Sequence, residues 1–362
     1  MIVRVCDGFN PLLSSLMLFG QHCTPLAFLR GTGVNDELDG SESKSAVRFT
    51  VPNQDIPRGI QPEDVPKDLS EKYKMECEIV QSLAKWKRIM LDRLDIPVGE
   101  GVYCDSTSIR KGYKGDVTHS VVADQWDFEI HISKEQRTVD ALKNYVTAIY
   151  KIITDAQDMI LEKYPEIAGP PGHPTEMWRL PKEIHFTTAD ELHKEFPYMD
   201  AHERETAAVR KYGVIFILGM GWPLEDGSPA EEVRSPGYDD WNLNGDIIAY
   251  HPLTEYRHEL SSMGIRVDKD ALLKQLEHRG VEHEADLDFQ KAVIEERLPF
   301  SYGGGIGISR LMMLLLRTCH IGEVQVGLWH DEHYKQAIEA GIDMIPDRLL
   351  TLDKKEGGGL AP

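Results

Sequence analysis

Residues 303–317, GGGIGISRLMMLLLR, set the tightest limit on what this chain can fold into. Three consecutive glycines leave a length of backbone bare of side chains, so another group can come close to it. The apolar run that follows needs burial and reads as a helix with Arg310 near its start. Two readings stand open. One is a glycine turn feeding a core helix. The other is a ligand-facing turn, from which Arg310 lies on an aromatic base or reaches a phosphate. The run is not a Walker loop, because GxxxxGK[ST] is absent, and no GxGxxG follows a predicted strand.

The remaining pattern points to an α+β fold, a mainly antiparallel sheet flanked by helices. Leu83, Trp86 and Met90 recur at helical spacing. So do Val139, Leu142, Tyr145, Val146, Ile149, Ile153, Ala156 and Ile160, over about six turns. Strand signals are short and scattered: VIFIL at 214–218, DIIAY at 246–250 and VQVGLW at 324–329. Strands and helices do not alternate regularly, as a doubly wound parallel sheet demands. The proline- and acid-rich stretch 52–68 and AGPPGHPTEMWRLPK at 168–182 read as loops, but neither separates segments of different composition. The expected division is an opening segment at 1–24, one domain at 25–351 and a flexible tail at 352–362.

Charge and cysteine usage narrow the functional classes. A net charge of −20 argues against a broad nucleic-acid or anionic-membrane footprint, though not against a local basic pocket. Cys6, Cys23, Cys77, Cys104 and Cys319 are odd in number and form no CxxC pair, which suits reduced thiols in the cytoplasm. The 14 histidines show no HxxxH or HExxH spacing, so no histidine zinc site is expected. No stretch reaches the roughly 18–20 apolar residues of a membrane helix, and residues 1–23 make a poor signal peptide.

Three more segments carry chemistry-bearing residues. In HELSSMGIRV, 258–267, Glu259 and Ser262 face opposite ways on a regular strand unless a bulge intervenes. Brought together, they suit magnesium, and Arg266 suits a carboxylate. Taken alone, the segment equally fits a strand with a surface ion pair. Arg110 precedes HSVVADQWDFE, where Gln125, Asp127 and Glu129 share one strand face and Trp126 and Phe128 the other. The polar face suits an amino group, a metal-bound phosphate or plain solvent; the aromatic face suits the core. SLAKWKR at 82–88 starts a helix with Ser82, Lys85, Lys87 and Arg88, whose lysines bind a carboxylate or stay solvated.

Together these segments resemble one family. GGGIGISR is similar to motif three of class II aminoacyl-tRNA synthetases, and Arg110 with its strand to motif two. VQSLAKWKR, GEGVY, HSVVADQWDFE, SPGYDDW, LNGDI, ELSSMGIRVD and GGGIGISRLMMLLL, in that order, resemble ammonia-dependent asparagine synthetases, the AMP-forming aspartate–ammonia ligases. The resemblance covers residues 24–330. It implies a class II synthetase fold, a cytoplasmic homodimer, and asparagine made from aspartate, ATP and ammonia through a β-aspartyl adenylate. ATP and magnesium, but neither nucleic acid nor membrane, are the implied partners.

The resemblance also implies roles. Arg110 bridges the reacting carboxylate and the α-phosphate, and Gln125 orients the substrate. Asp36 and Asp127 receive the α-ammonium of aspartate; Ser82, Lys87 and Arg266 hold its α-carboxylate, with Ser262 nearby. Tyr238, Asp239 and Asp246 line the nucleotide site with Arg310 on adenine, and Gly303, Gly304 and Gly305 form an adenosine-facing turn. Asp246, Glu259 and Ser262 hold magnesium. No amidotransferase segment is visible, so free ammonia is the expected donor. Two departures stand out: residues 1–23 do not resemble the family's opening helix, and 239–246 lacks a longer loop between YDDW and LNGD. A tRNA-charging relative and a non-catalytic nucleotide-binding relative are the competing readings.

Overall fold

The computed structural model describes residues 19–20, 24–36, 38, 44–51, 75–113, 115–168, 179–230 and 234–347. The expected loop at 52–68, most of that at 168–182, the tail at 352–362 and nearly all of the opening segment lie outside these residues.

Eleven strands form among the described residues: β1 (Phe19–Gly20), β2 (Ala27–Leu29), β3 (Arg48–Val51), β4 (Met75–Ile79), β5 (Gly101–Ile109), β6 (Val122–His131), β7 (His185–Thr188), β8 (Val214–Leu218), β9 (Asp239–His251), β10 (Tyr256–Arg266) and β11 (Ser301–Gly307). Eight make one sheet in the order β1-β5-β6-β11-β10-β9-β8-β7, and β2-β4-β3 make a small second one. Every pairing from β5 to β8 is antiparallel; only the outermost pairs, β1 with β5 and β7 with β8, are parallel. The α+β expectation therefore holds.

Among the described residues eight α-helices pack around the sheet: α1 (Ala84–Arg93), α2 (Val139–Lys163), α3 (Ala189–Glu195), α4 (Ala201–Tyr212), α5 (Lys269–Arg279), α6 (Asp288–Ile294), α7 (Ile308–Leu316) and α8 (Asp331–Glu339). Their ends follow local chemistry. Thr138 accepts from the Ala141 N–H to start α2, and Asp200 with Glu203 forms a reciprocal capping box on α4. At α7, Asp124 of the neighbouring strand does this work instead. Its carboxylate accepts from the Ser309 N–H at 3.2 Å and hydroxyl at 2.6 Å, a negative charge where the helix dipole favours one.

The alternation in β6 is read in full. Trp126 and Phe128 enter the main core with Leu142, Val146, Ile149 and Ile153 of α2 and Leu311–Leu315 of α7. Buried side chains of this kind contribute roughly 1.5–3 kcal/mol each. Asp127 and Glu129 point the other way, yet they are buried rather than solvated. On β8, Val214, Phe216 and Leu218 join the main core, whereas Ile215 and Ile217 pack with α3 and α4 residues Leu192, Ala208 and Val209.

Three sequence expectations are corrected. Gly303, Gly304 and Gly305 form no turn; they lie inside β11, paired to β6 and β10. The need for glycine is steric. A Cβ on Gly303 would sit 2.0 Å from a Glu129 oxygen, and one on Gly305 would sit 2.6 Å from the Gln125 amide nitrogen. Neighbouring polar side chains thus cross over bare backbone. VQVGLW at 324–329 forms no strand: it alternates buried and exposed residues but pairs with nothing in the sheet. Its Gly327 lies against Trp329 and Ser120 instead. Lastly, Lys85, Lys87 and Arg88 of α1 are buried, not solvated. The short 239–246 stretch runs as unbroken strand within β9.

Candidate active site

The polar side of the central strands opens into a cavity of about 470 Å³. Asp36, Arg110, Gln125, Tyr238, Asp246, Glu259, Ser262, Gly305 and Arg310 all line it, drawn from segments far apart in the chain. Ser82, Lys87, Asp127, Asp239, Arg266, Gly303 and Gly304, although expected at the site, are not part of the lining.

These absentees form a layer beneath. The Lys87 ammonium donates to Asp127 at 2.8 Å and to the carbonyls of Phe128 and Gly304 at 3.0 and 3.1 Å. Asp127 also accepts from the Ser106 hydroxyl. Arg266 grips Glu129 with contacts of 2.7–3.1 Å and donates to Asp239 as well. Ser301 donates to Glu129 at 2.7 Å, completing its set. Lys87 and Arg266 are thus already satisfied by the protein's own carboxylates. Ser82 turns to its own helix, accepting from the Ala84 N–H at 3.2 Å.

At one end of the cavity, Asp36 accepts from the Ser235 hydroxyl at 2.6 Å and lies 3.7 Å from the Lys85 ammonium. Arg110 follows β5 and donates to the Gln81 carbonyl at 3.3 Å and the Tyr113 hydroxyl at 3.5 Å. Among the described residues that leaves three of its five N–H donors for a ligand. Burial, with Asp36 and Asp239 nearby, pushes the Tyr238 phenol well above its usual range, so it stays a neutral donor.

Elsewhere in the lining the charges are paired. Arg310 lies 3.4 Å from the Glu259 carboxylate, and Arg257 lies 3.8 Å from it. Burial opposes ionisation of Glu259, but Arg310, Arg257 and Arg234 outweigh it and hold its pKa down at about 2. Arg310 also donates to His119 Nε2 at 2.7 Å. That leaves the proton on Nδ1, facing Asp116 at 2.9 Å. Arg234 donates to Asp246 and, at 3.2 Å, to the Ser262 hydroxyl.

The bulge that sequence reasoning required is present. The β9–β10 register shifts between Glu259 and Ser261, and Ser262 then pairs directly with Asp246. Glu259, Ser262 and Asp246 consequently line one cavity.

Comparison with known proteins follows the same lines. A family profile described as aspartate-ammonia ligase matches residues 1–341. The chain belongs to the aspartate–ammonia ligase family. Ligases of this name from Clostridium perfringens (strain SM101) and Bacillus cytotoxicus are similar to it. The first is 38% identical over 344 residues, covering 95% of this chain and 94% of its own length. The second is 45% identical over 331 residues, covering 91% and 92%. The ligase expectation is thus borne out over the tRNA-charging and non-catalytic alternatives.

Among solved structures, the fold is similar to asparaginyl-tRNA synthetases. That of Entamoeba histolytica with asparaginyl-adenylate gives a TM-score of 0.58 at 11% identity, covering 90% of this chain and 66% of its own. The Pyrococcus horikoshii enzyme gives 0.58 at 14% identity, covering 90% and 67%. At such identities the likeness is one of fold, and it establishes the class II synthetase core that the ligase motifs imply.

Several lining residues went unnoticed in the sequence: His119, Asp124, Glu205, Arg234, Ser235 and Arg257. Arg234 and Ser235 stand at the edge of SPGYDDW, so that motif was the available signal. Arg257 and Glu205 pair across from β10 to α4, a contact no local pattern encodes. Glu129 was noticed only as one of three alternating acids and amides; its grip on Arg266 depends on the β6–β11–β10 order.

Proposed function

We propose that the cavity holds aspartate and ATP together and joins ammonia to the side-chain carboxylate through a β-aspartyl adenylate. One observation carries this reading: the groups suited to an amino acid (Asp36, Gln125) and those suited to a nucleotide (Tyr238, Asp246, Glu259, Arg310) share one cavity with Arg110. In the first step an aspartate oxygen attacks the α-phosphorus and pyrophosphate leaves. In the second, ammonia attacks the acyl carbon, AMP leaves with both bonding electrons, and the new amide sheds a proton. A carboxylate does not condense with ammonia at neutral pH, so the adenylate supplies the leaving group.

Arg110 has N–H donors available to span the attacking carboxylate and the phosphate, where charge builds up in the transition state. Asp36 takes the α-ammonium. Lys87 and Arg266 take the α-carboxylate only if Asp127 and Asp239 each yield a contact. Arg310 clamps the nucleotide. Asp246, Glu259 and Ser262 suit magnesium: two carboxylates and a hydroxyl are hard oxygen donors, and Asp246 Oδ1 is buried without a hydrogen-bond partner among the described residues. When bound, the ion neutralises phosphate charge and steadies the leaving pyrophosphate. The homodimer and the cytoplasmic setting belong to the same proposal. Among the described residues no helix is long and apolar enough to cross a membrane.

The test is to incubate the purified chain with aspartate, ATP, magnesium and ammonium, without tRNA, and to follow pyrophosphate and asparagine. The reading expects both in equal amounts. Pyrophosphate exchange without asparagine at saturating ammonium contradicts it.

A further inference from the structure

All three oxygen donors just assigned to magnesium already face a cation: Glu259 lies beside Arg310, while Asp246 and Ser262 share Arg234. Arg234 donates one Nη to the Asp246 carboxylate and the other, at 3.2 Å, to the Ser262 hydroxyl. These two acceptors sit directly opposite each other across β9 and β10. The same guanidinium also rests 3.1 Å from the Met220 sulfur. Its side chain is 16% exposed and lines the cavity, while the Asp246 side chain is 6% exposed. A carboxylate so buried needs a positive partner. The open oxygen, Asp246 Oδ1, belongs to the carboxylate that Arg234 holds through Oδ2, so a divalent ion there faces the guanidinium at close range, where like charges repel.

We propose that Arg234 is a placeholder cation: it closes Asp246 and Ser262 against free divalent ions, and passes to the phosphate chain when nucleotide and metal enter together. The inference rests on the metal assignment made above. Arginine suits both states. Its planar fork matches a carboxylate now and a phosphate afterwards, with two parallel hydrogen bonds to either. The exchange also keeps the charge balance of the cavity. One cation leaves Asp246 as another arrives, and the displaced one meets the charge brought by the phosphates. Metal affinity is thereby tied to nucleotide, and Arg234 acts as a positioning residue for the leaving pyrophosphate.

The test uses Mn2+ alone as the probe, with free ion counted by electron paramagnetic resonance and no nucleotide present. Arg234→Met is expected to bind one Mn2+ about tenfold more tightly than the unaltered chain, the gain expected when a buried carboxylate loses its partner. Adding Asp246→Asn removes that gain. Lys44→Met takes the same charge from the same cavity lining, away from Asp246, Glu259 and Ser262, and is expected to show little gain. Pyrophosphate affinity, by calorimetry, falls in Arg234→Met. Arg234→Lys, the gentler change, keeps the charge but loses the fork, and shows an intermediate metal affinity with weakened pyrophosphate binding. Unchanged Mn2+ binding in both Arg234 variants, or an equal gain in Lys44→Met, overturns the proposal. If Asp246→Asn in the unaltered chain leaves magnesium–ATP binding intact, the metal assignment fails. If it abolishes that binding while Arg234→Met gains nothing, only the placeholder role fails.

Discussion

Two sets of ion pairs share strand β10, and they differ in access to solvent. In the lower layer, Arg266 and Glu129 have side chains 2% and 0% exposed. In the cavity wall, Arg310 and Glu259 are 21% and 32% exposed. The lower pairs have short contacts and every partner is itself held: Glu129 accepts from both Arg266 and Ser301. The wall pairs around Glu259 are longer, at 3.4 and 3.8 Å. A fully buried pair is costly to break, since either partner left alone keeps an uncompensated charge. A wall pair can trade partners with a charged ligand, because water and ligand both reach it. The lower layer therefore reads as the rigid bed, and the wall as the exchangeable surface on which substrates are charged and discharged.

The contrast is broken most directly at Glu129. Glu129→Ala is expected to destabilise the fold by about 3–5 kcal/mol, whereas Glu259→Gln costs no more than about 1 kcal/mol. Urea denaturation of both variants checks this; equal losses would erase the distinction between layers. Pairing Glu129→Leu with Arg266→Met and Asp239→Asn should recover much of the loss, since no buried charge is then orphaned.

Next in size is Arg110. Arg110→Ala is expected to slow pyrophosphate release by about 10²–10³-fold while the denaturation midpoint stays near that of the unaltered chain. A near-normal rate removes the mechanism given for this residue.

The glycines of β11 sharpen the same division. Gly303→Ala pushes a Cβ into Glu129 and Arg266, whereas Gly305→Ala pushes one toward Gln125 and Asp127. Each is expected to cost about 1–3 kcal/mol through crowding. For Gly303 the loss should show in stability; for Gly305, on the cavity lining, mainly in the KM for aspartate and in kcat. Identical profiles would count against the layered description.

The smallest effect at neutral pH is a pH dependence beneath the wall. His258 donates from Nε2 to the Arg310 carbonyl at 2.8 Å. Burial, with His251 close by, lowers its pKa to about 3. Its folded pKa is thus below its ordinary value of about 6.5, so between the two the unfolded chain binds more protons. Stability from this group is complete above the upper value and declines as pH falls toward the lower one. His258→Gln keeps a donor without the titration, and should flatten the loss of stability across that window.

How much of this could be read from the residues differs between fold and site. The Val139–Ile160 periodicity and the Trp126/Phe128 alternation stand in the structure as helix and core strand, because period and burial are local properties. VIFIL and DIIAY became strands because each has neighbours on both sides; VQVGLW has similar composition but no sheet edge to join. The bulge between Glu259 and Ser261 was foreseeable as a requirement of chemistry, not from spacing. What stayed hidden was depth. Lys87 and Arg266 have the same charges whether they face a ligand or a buried acid, and only the order β5-β6-β11-β10 places Asp127 and Glu129 against them. Arg234 was missed for the same reason, since its partners lie on two other strands.

The central claim is that one cavity brings the aspartate side chain onto the α-phosphorus of ATP. Aspartate labelled with ¹⁸O in its β-carboxylate tests it most directly, with AMP and pyrophosphate analysed by mass spectrometry after one turnover with ammonium. The account predicts one ¹⁸O in the phosphate of AMP, none in pyrophosphate, and the remaining ¹⁸O in the asparagine amide. Asparagine formed with unlabelled AMP, or label appearing in the released pyrophosphate, would contradict it.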